Sequence, residues 1–475
     1  MNKTRGYALL SLALIIGNGF LNCSPLNLLL AVPEFLIVLI CIIERKYTKA
    51  VLFQFIFITT SFSYNITDSA MDMIGVTSLT SYNYAKFKIA SIPLFFINNV
   101  VLIYCLLRDE FTISREAKRS DFYCFFKFLK VTFIIGIILA IPGFIFLNYF
   151  FDGLLTYGSY VFFILTSAYI FLLLYQTDLA RQIYEIVPFA ICLSALFSIG
   201  SQFLGLEIIG TVYTSYFIGL MLPYALYNKR VFFPLIILGL FLAGSVVFGT
   251  GGKYIVQFAL LAIAVFILTF SSRIPVSWVK RMGFRTVFLI IIFTIPLAFV
   301  ALVGVDSNFF YKLHNVQTLL GFFFGGGIES IDRSPYIRIA EIANILYEDL
   351  INPIYLILGR GFGGYYQDVL GLFNSVDISF DTFSDEQLVA KRYYTAHDAF
   401  VSVPMISGLI GTFLWLKTII KYLKHVSQNY LKLVVIPFLF LIYYFDSQIG
   451  VIGTFIMFAA EYDPQYKLNG FHERK

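Results

Sequence analysis

The residues whose types and spacing could do chemistry lie in the last third of the chain. His397-Asp398 stands immediately before a long apolar run, TAHDAFVSVPMISGLIGTFLW over Thr395 to Trp415. Imidazole is the side chain suited to taking a proton near neutral pH, so His397 is a candidate general base. Upstream, Gly359-Arg360-Gly361-Phe362-Gly363-Gly364 is a glycine-rich turn whose backbone N–H groups could hold an anion, with Arg360 adding fork geometry for phosphate. Arg338 sits on a helix-forming stretch, and Lys253 follows Thr250-Gly251-Gly252 at the end of an earlier apolar run. Each has a plainer reading. Asp398 could cap a helix and His397 lie idle at an interface; Arg338 could pair with Glu341, three residues on; Lys253 could snorkel; and the glycines could form a flexible loop.

Several chemistries are disfavoured. No Gly-Lys-Ser/Thr follows the glycine-rich turn, and no βα pattern surrounds it, so neither a Walker nor a dinucleotide site fits. No serine or cysteine nucleophile motif accompanies the histidine. His314, His425 and His472 are the other histidines, and the five cysteines show no metal spacing, so no metal or other cofactor is expected. The cysteines read as small packing residues.

The elements that must position these groups are membrane helices. The 475 residues are 59% hydrophobic and 13% charged, with mean hydropathy +0.82, far from the roughly 25% charge of soluble chains. The net charge of +6 reads as cytoplasmic loops, not nucleic-acid binding. A spanning helix needs about 20 mostly apolar residues. Candidates fall near 6–22, 24–43, 50–63, 89–107, 130–150, 156–175, 186–204, 208–227, 231–249, 254–271, 286–304, 398–416, 433–447 and 449–461. The expected fold is an all-α polytopic membrane protein of about 14 spans, 12 to 14 given the short ones. The start, MNKTRGYALLSLALIIG, reads as a first span with its basic end inside.

Lys and Arg in the short loops set the orientation. With the N-terminus cytoplasmic, roughly 25 of the 34 basic residues fall inside. The chain then divides into eleven spans over 1–304, an external segment over 305–397, further spans over 398–461, and a cytoplasmic tail over 462–475. Within the external segment, Ser334-Pro335 starts a helix running to about Leu350, and Asn352-Pro353 ends it. On that helix Arg338, Glu341, Asn344 and Glu348 share one face, while Ile337, Ile339, Ile342, Ile345 and Leu346 mostly fall away from it. Such a helix would lie on the membrane plane or cap the bundle. Glu34, mid-span after Pro33, and Asp446 are the intramembrane carboxylates, and they support a transporter reading.

Taken in order, Arg338 on an external helix, Asn-Pro, Gly-Arg-Gly-Phe-Gly, His-Asp, then Gly-Leu-Ile-Gly in a span resemble the bacterial O-antigen polymerase (Wzy) and O-antigen ligase (WaaL) families. The pattern covers about 80 residues, and the layout of spans extends it over the chain. Asp398 stands where these families commonly carry Asn or Ser, and Thr250-Gly251-Gly252-Lys253 lacks the arginine of their Ser-Arg-Gly motif. The resemblance implies a GT-C-like, metal-independent, inverting glycosyltransferase of the bacterial inner membrane, working on the periplasmic face. The implied donor is an undecaprenyl-diphosphate-linked oligosaccharide, and the implied protein partner a chain-length regulator. His397 would be the general base, supported by Asp398. Arg338, Arg360 and Lys253, with the Gly361 and Gly363 backbone, would hold the diphosphate. The alternatives are the ligase and, from another class, a flippase or ion-coupled transporter.

Overall fold

The computed structural model describes residues 3–21, 25–61, 82–89, 92–187, 333–375, 383–396, 399–425, 429–433 and 447–462, with isolated positions beyond these. It is a helical protein. Among the described residues, four helices are long and apolar enough to cross a membrane: Pro25–Ile43, Asp121–Phe146, Phe151–Leu173 and Ala399–Lys424. In order, the principal helices are α1 (Lys3–Leu21), α2 (Leu28–Ile43, preceded by a 3₁₀ turn), α3 (Tyr47–Thr59), α4 (Leu94–Arg108), α5 (Asp121–Phe146), α6 (Ser159–Leu173, entered through a short helix and the π-helical turn Leu154–Gly158), α7 (Arg333–Ile351), α8 (Pro353–Leu358), α9 (Ala399–Lys424) and α10 (Ser447–Ala459).

Beside the expected helices, the described residues hold two minimal antiparallel ladders, each of two residues per strand: Lys88–Ile89 with Ile92–Pro93, and Tyr366–Gln367 with Arg392–Tyr393. The expected spans over 208–227, 231–249, 254–271 and 286–304 lie outside the described residues, as does nearly all of 433–447, and 186–204 is described only at its start and at scattered positions.

Two helices run well past their apolar stretches. The reading 130–150 becomes Asp121–Phe146, and 398–416 becomes Ala399–Lys424. Hydropathy misses the extra turns because Asp121, Lys127, Lys130, Lys417, Lys421 and Lys424 are charged, whereas helix formation tolerates them. Ser120 starts α5 by accepting a bond from the Tyr123 N–H. These extensions meet: Asp121, nearly buried, pairs with Lys432 at 2.7 Å and His425 at 2.8 Å, with Lys421 at 3.5 Å. Glu461, just past α10, accepts the Phe122 N–H at 2.9 Å. One charged knot thus ties together the ends of α5, α9 and α10.

The helices turn apolar stripes outward. On α5 the exposed positions Ile134, Ile138, Ile141 and Ile145 recur at helical spacing, as do Leu409, Phe413, Leu416 and Ile420 on α9. A helix stripe of this kind fits hydrocarbon rather than water. The inward faces are aromatic: Phe95 and Phe96 pack on Phe163, and Phe122, Phe171, Phe455 and Phe458 form one ring cluster. Cys41, Cys105 and Cys124 are free and buried in this packing, as their positions in apolar runs imply.

Helix α9 is broken at Gly408, whose backbone (φ 55°, ψ −155°) is not helical. The cause is α8, which crosses it. A Cβ on Gly408 would meet the Ile357 carbonyl oxygen at 2.4 Å, and one on Gly359 would meet the Ile406 carbonyl carbon at 2.5 Å. The break withdraws the helical donors that would serve the Met405 and Ile406 carbonyls. Those carbonyls instead accept the Arg360 and Gly361 N–H groups at 2.7 and 3.0 Å. We expect Gly408→Ala to cost at least about 1–3 kcal/mol from backbone conformation alone, and more from the collision. A thermal-unfolding midpoint in detergent measures this.

Candidate active site

The glycine-rich turn is not an exposed loop. It is wedged between α5 and α9. The Phe362 N–H donates to the Gly136 carbonyl, and the Phe362 ring lies against Gly136 itself. Gly136 is ten residues short of the end of α5, so the turn sits about 15 Å along the helix from that end. Gly361 (φ 77°) passes so close that a Cβ there would fall 2.8 Å from the Gly136 oxygen. The N–H groups of Arg360, Gly361, Phe362 and Gly364 are therefore engaged within the fold: Arg360 and Gly361 with α9, Phe362 with α5, and Gly364 with the Gly361 carbonyl. Gly363, also left-handed, approaches Phe150, and its carbonyl accepts the Phe150 N–H at 3.0 Å.

Arg360 likewise departs from the expected role. Its side chain is 1% exposed and lies between two carboxylates, Glu348 and Asp349, the latter at 2.7 Å. It also donates to the carbonyls of Tyr365 and Ile345. Both carboxylates come from α7, so the guanidinium rivets α7 to the wedge. Its charge is already compensated, which leaves a diphosphate little to attract it.

Helix α7 follows the expected boundaries, and its polar face does hang together, but that face turns inward. Glu341 is fully buried and accepts from the Tyr366 hydroxyl at 3.0 Å. Asn344 donates to Asp368 at 2.9 Å, and Glu348 accepts the Gln367 N–H. Burial, with Glu341 alongside, holds the Tyr366 phenol well above its ordinary pKa. Arg338 is half-buried on the same helix. Ile337 and Ile345 pack into a second core with Tyr336, Phe373, Phe383 and Tyr393, whereas Ile342, Leu346, Leu350 and Ile351 stay exposed. The exposed apolar residues continue on α8 with Ile354 and Ile357.

His397, Asp398, Lys253 and Asp446 lie outside the described residues. The backbone leading to His397 is held from three sides. The Tyr157 hydroxyl accepts the Ala396 N–H at 3.0 Å and faces the Ala396 carbonyl at 3.3 Å. The Gln387 amide oxygen accepts the N–H groups of Tyr394 and Thr395 at 2.9 and 3.1 Å, and its nitrogen donates to the Thr395 hydroxyl. Ser402 on α9 reaches the Ala396 carbonyl at 3.4 Å. Tyr157 projects from the π-helical turn, a helix irregularity frequent at functional sites. A crevice too tight to admit a water is lined by Tyr157, Gly361, Gly363, Tyr394, Ala396 and Ser402. Tertiary structure thus brings the glycine-rich turn beside the residue that precedes His397, although 35 positions separate Gly361 from Ala396.

Sequence reading missed Tyr157 and Gln387. Neither carries a motif: one is a tyrosine among 32, and the other sits in a polar stretch. A faint signal is Gly153 and Gly158 bracketing the π-helical turn, with Gly153 pressed against Gly363. Among the described residues no group of His, Cys, Asp and Glu has metal-holding geometry. No family model, curated protein or solved structure matches the chain.

Arg360→Met should cost about 3–5 kcal/mol by stranding two carboxylates. Replacing Glu348, Asp349 and Arg360 together by Leu, Leu and Met should recover most of that loss, as read by unfolding midpoints of the purified variants.

Proposed function

We propose that this protein is a membrane glycosyltransferase that polymerises a surface polysaccharide of the O-antigen kind from undecaprenyl-diphosphate-linked repeat units, at the outer face of a bacterial inner membrane. In this reading the chain crosses the membrane about 14 times, with both termini cytoplasmic and 305–397 facing the periplasm. The carrying observation is the clamp on Ala396. Tyr157, Gln387 and Ser402 fix the peptide that delivers His397, directly beside the glycine-rich turn. A general base needs such fixing, because misplacement by about 1 Å can cost 100-fold in rate.

His397 takes the proton from the acceptor hydroxyl as that oxygen attacks the anomeric carbon. The undecaprenyl diphosphate leaves, and the configuration inverts. Arg338 and Lys253 hold the diphosphate and balance its growing charge. Arg360 acts differently from the first expectation: it is a positioning residue that secures α7, and Arg338 with it, to the wedge. Asp398 orients the imidazole. The outward apolar residues of α7 and α8 suit a donor that arrives through lipid.

The ligase reading uses the same donor and the same base, so a host deletion separates the two. Loss of the polymerase leaves lipopolysaccharide with a single repeat unit. Bare core with polymer still on undecaprenyl diphosphate identifies the ligase, and normal attached chains overturn both. Within the polymerase, His397→Ala should abolish chain extension; extension at the normal rate would remove the general-base role. Tyr157→Phe keeps the ring but loses the clamp, and should slow extension by about 10- to 100-fold with donor binding retained.

A further inference from the structure

The segment 353–364 lies deeper than an external loop would. Helix α8 crosses α9 at Gly408, where the Ile357 carbonyl and the Gly359 nitrogen occupy the space a Cβ would need. Helix α9 begins at Ala399, nine residues before Gly408, and its first charged residue, Lys417, comes nine residues after it. At 1.5 Å per residue that is about 13 Å of uncharged helix on either side. A hydrocarbon core is about 30 Å thick, so the crossing falls near its middle. A second contact agrees. Phe362 docks at Gly136 on α5, between the outward-facing Ile134 and Ile138.

The chain returns on the side from which it came. Tyr366–Gln367 pairs with Arg392–Tyr393, the strand that ends six residues before α9. Glu341 and Glu348 of α7 accept from the Tyr366 hydroxyl and the Gln367 N–H, so the entering helix meets the leaving strand. Entry and exit share the Ala399 end of α9, and the excursion between them is a hairpin, not a span.

Its chemistry suits that depth. Between positions 350 and 365 the single charged residue is Arg360, and Glu348 and Asp349 neutralise it inside the fold. Irregular backbone within hydrocarbon must be satisfied by protein, and the N–H groups of Gly359, Arg360, Gly361 and Phe362 are so satisfied. What faces outward is apolar. Leu350, Ile351, Ile354 and Ile357 are exposed, and Ile357 stands beside Gly408, next to the exposed Leu409 and Ile410 of α9. The two surfaces are continuous, so the medium that covers the α9 stripe covers α8 as well.

We propose that α8 and the glycine-rich turn form a re-entrant segment, which enters the membrane from the side of α7, reaches about its midplane and returns, and that Leu350, Ile351, Ile354 and Ile357 contact lipid acyl chains. This placement requires α9 to be a membrane span and is independent of the glycosyl-transfer reading.

The test places a nitroxide on single cysteines in the full-length chain, its five native cysteines replaced by serine, reconstituted in phosphatidylcholine vesicles. Ile354→Cys and Ile357→Cys report on the segment. Phe413→Cys, on the outward stripe of α9, is the lipid reference, and Val389→Cys, 86% exposed on the short helix Asp385–Ala390, is the water reference. Relaxation by dissolved oxygen should match that at Phe413. Relaxation by a polar nickel chelate should fall about tenfold below that at Val389, because a polar solute is costly to bring into hydrocarbon. Nickel relaxation at Ile357 equal to that at Val389 would overturn the proposal by putting the segment in water. Exclusion of both oxygen and nickel would overturn it too, by putting protein over this face. Nickel reaching Phe413 would remove the premise that α9 is a span, and the proposal with it. Should the cysteine-free chain fail to fold, Ile357→Trp in the native background decides. Lipids brominated near the acyl-chain terminus should quench the added fluorescence more than lipids brominated near the headgroup, and the opposite order sinks the inference.

Discussion

The architecture of the described residues depends on one exchange of hydrogen bonds. Helix α9 breaks at Gly408, and the carbonyls of Met405 and Ile406 accept N–H groups from the Gly359–Gly364 turn. Irregular backbone among apolar helices survives only when other protein groups satisfy it, and here each broken piece satisfies the other. The exchange demands glycine on both sides, since Gly359 and Gly408 stand where any Cβ would strike backbone. From it follow the depth of the wedge against α5, the place of Arg360, and the anchoring of α7.

The buried arginine illustrates how charge and packing divide labour. An arginine with two carboxylates is poor evidence of added stability, because desolvation offsets most of the attraction. Its value is geometric. The fork reaches two successive carboxylates of α7 and two carbonyls at once, which a lysine could not do. Helix α7 is therefore held by Glu341, Asn344, Glu348 and Asp349 together with Tyr336, Ile337 and Ile345, and it leaves Ile342, Leu346, Leu350 and Ile351 exposed.

Two polar clusters differ in construction. The crevice beside Ala396 is built from satisfied groups: Tyr157, Gln387 and the backbone they hold have their bonds made, and rigidity is the product. The buried group around Glu34 keeps unpartnered acceptors and a donor alike, Glu34 Oε2, Asn18 Oδ1 and Asn98 Oδ1 with Gln54 Nε2.

Some of this is legible in the chain itself. Apolar runs announced the helices, Ser334-Pro335 and Asn352-Pro353 marked the ends of α7, and Glu34 stood out as a charge in the wrong solvent. These signals are local: they depend on neighbours within a turn or two, so sequence alone carries them. The true lengths of α5 and α9 escape a hydropathy reading because the first turns of α5 and the last turns of α9 are charged. The glycine-rich turn was recognised, but its exposure was misjudged. Nothing in Gly-Arg-Gly-Phe-Gly says that its N–H groups meet carbonyls freed by a kink some 45 residues downstream, or that Arg360 meets carboxylates already committed to it. Tyr157 holding Ala396 across 239 positions is a contact that only folding creates. Residue type decided which chemistry was available at each place. Tertiary structure decided which groups remained free to do it, because a hydrogen bond or a charge already answered within the fold is not offered to a substrate.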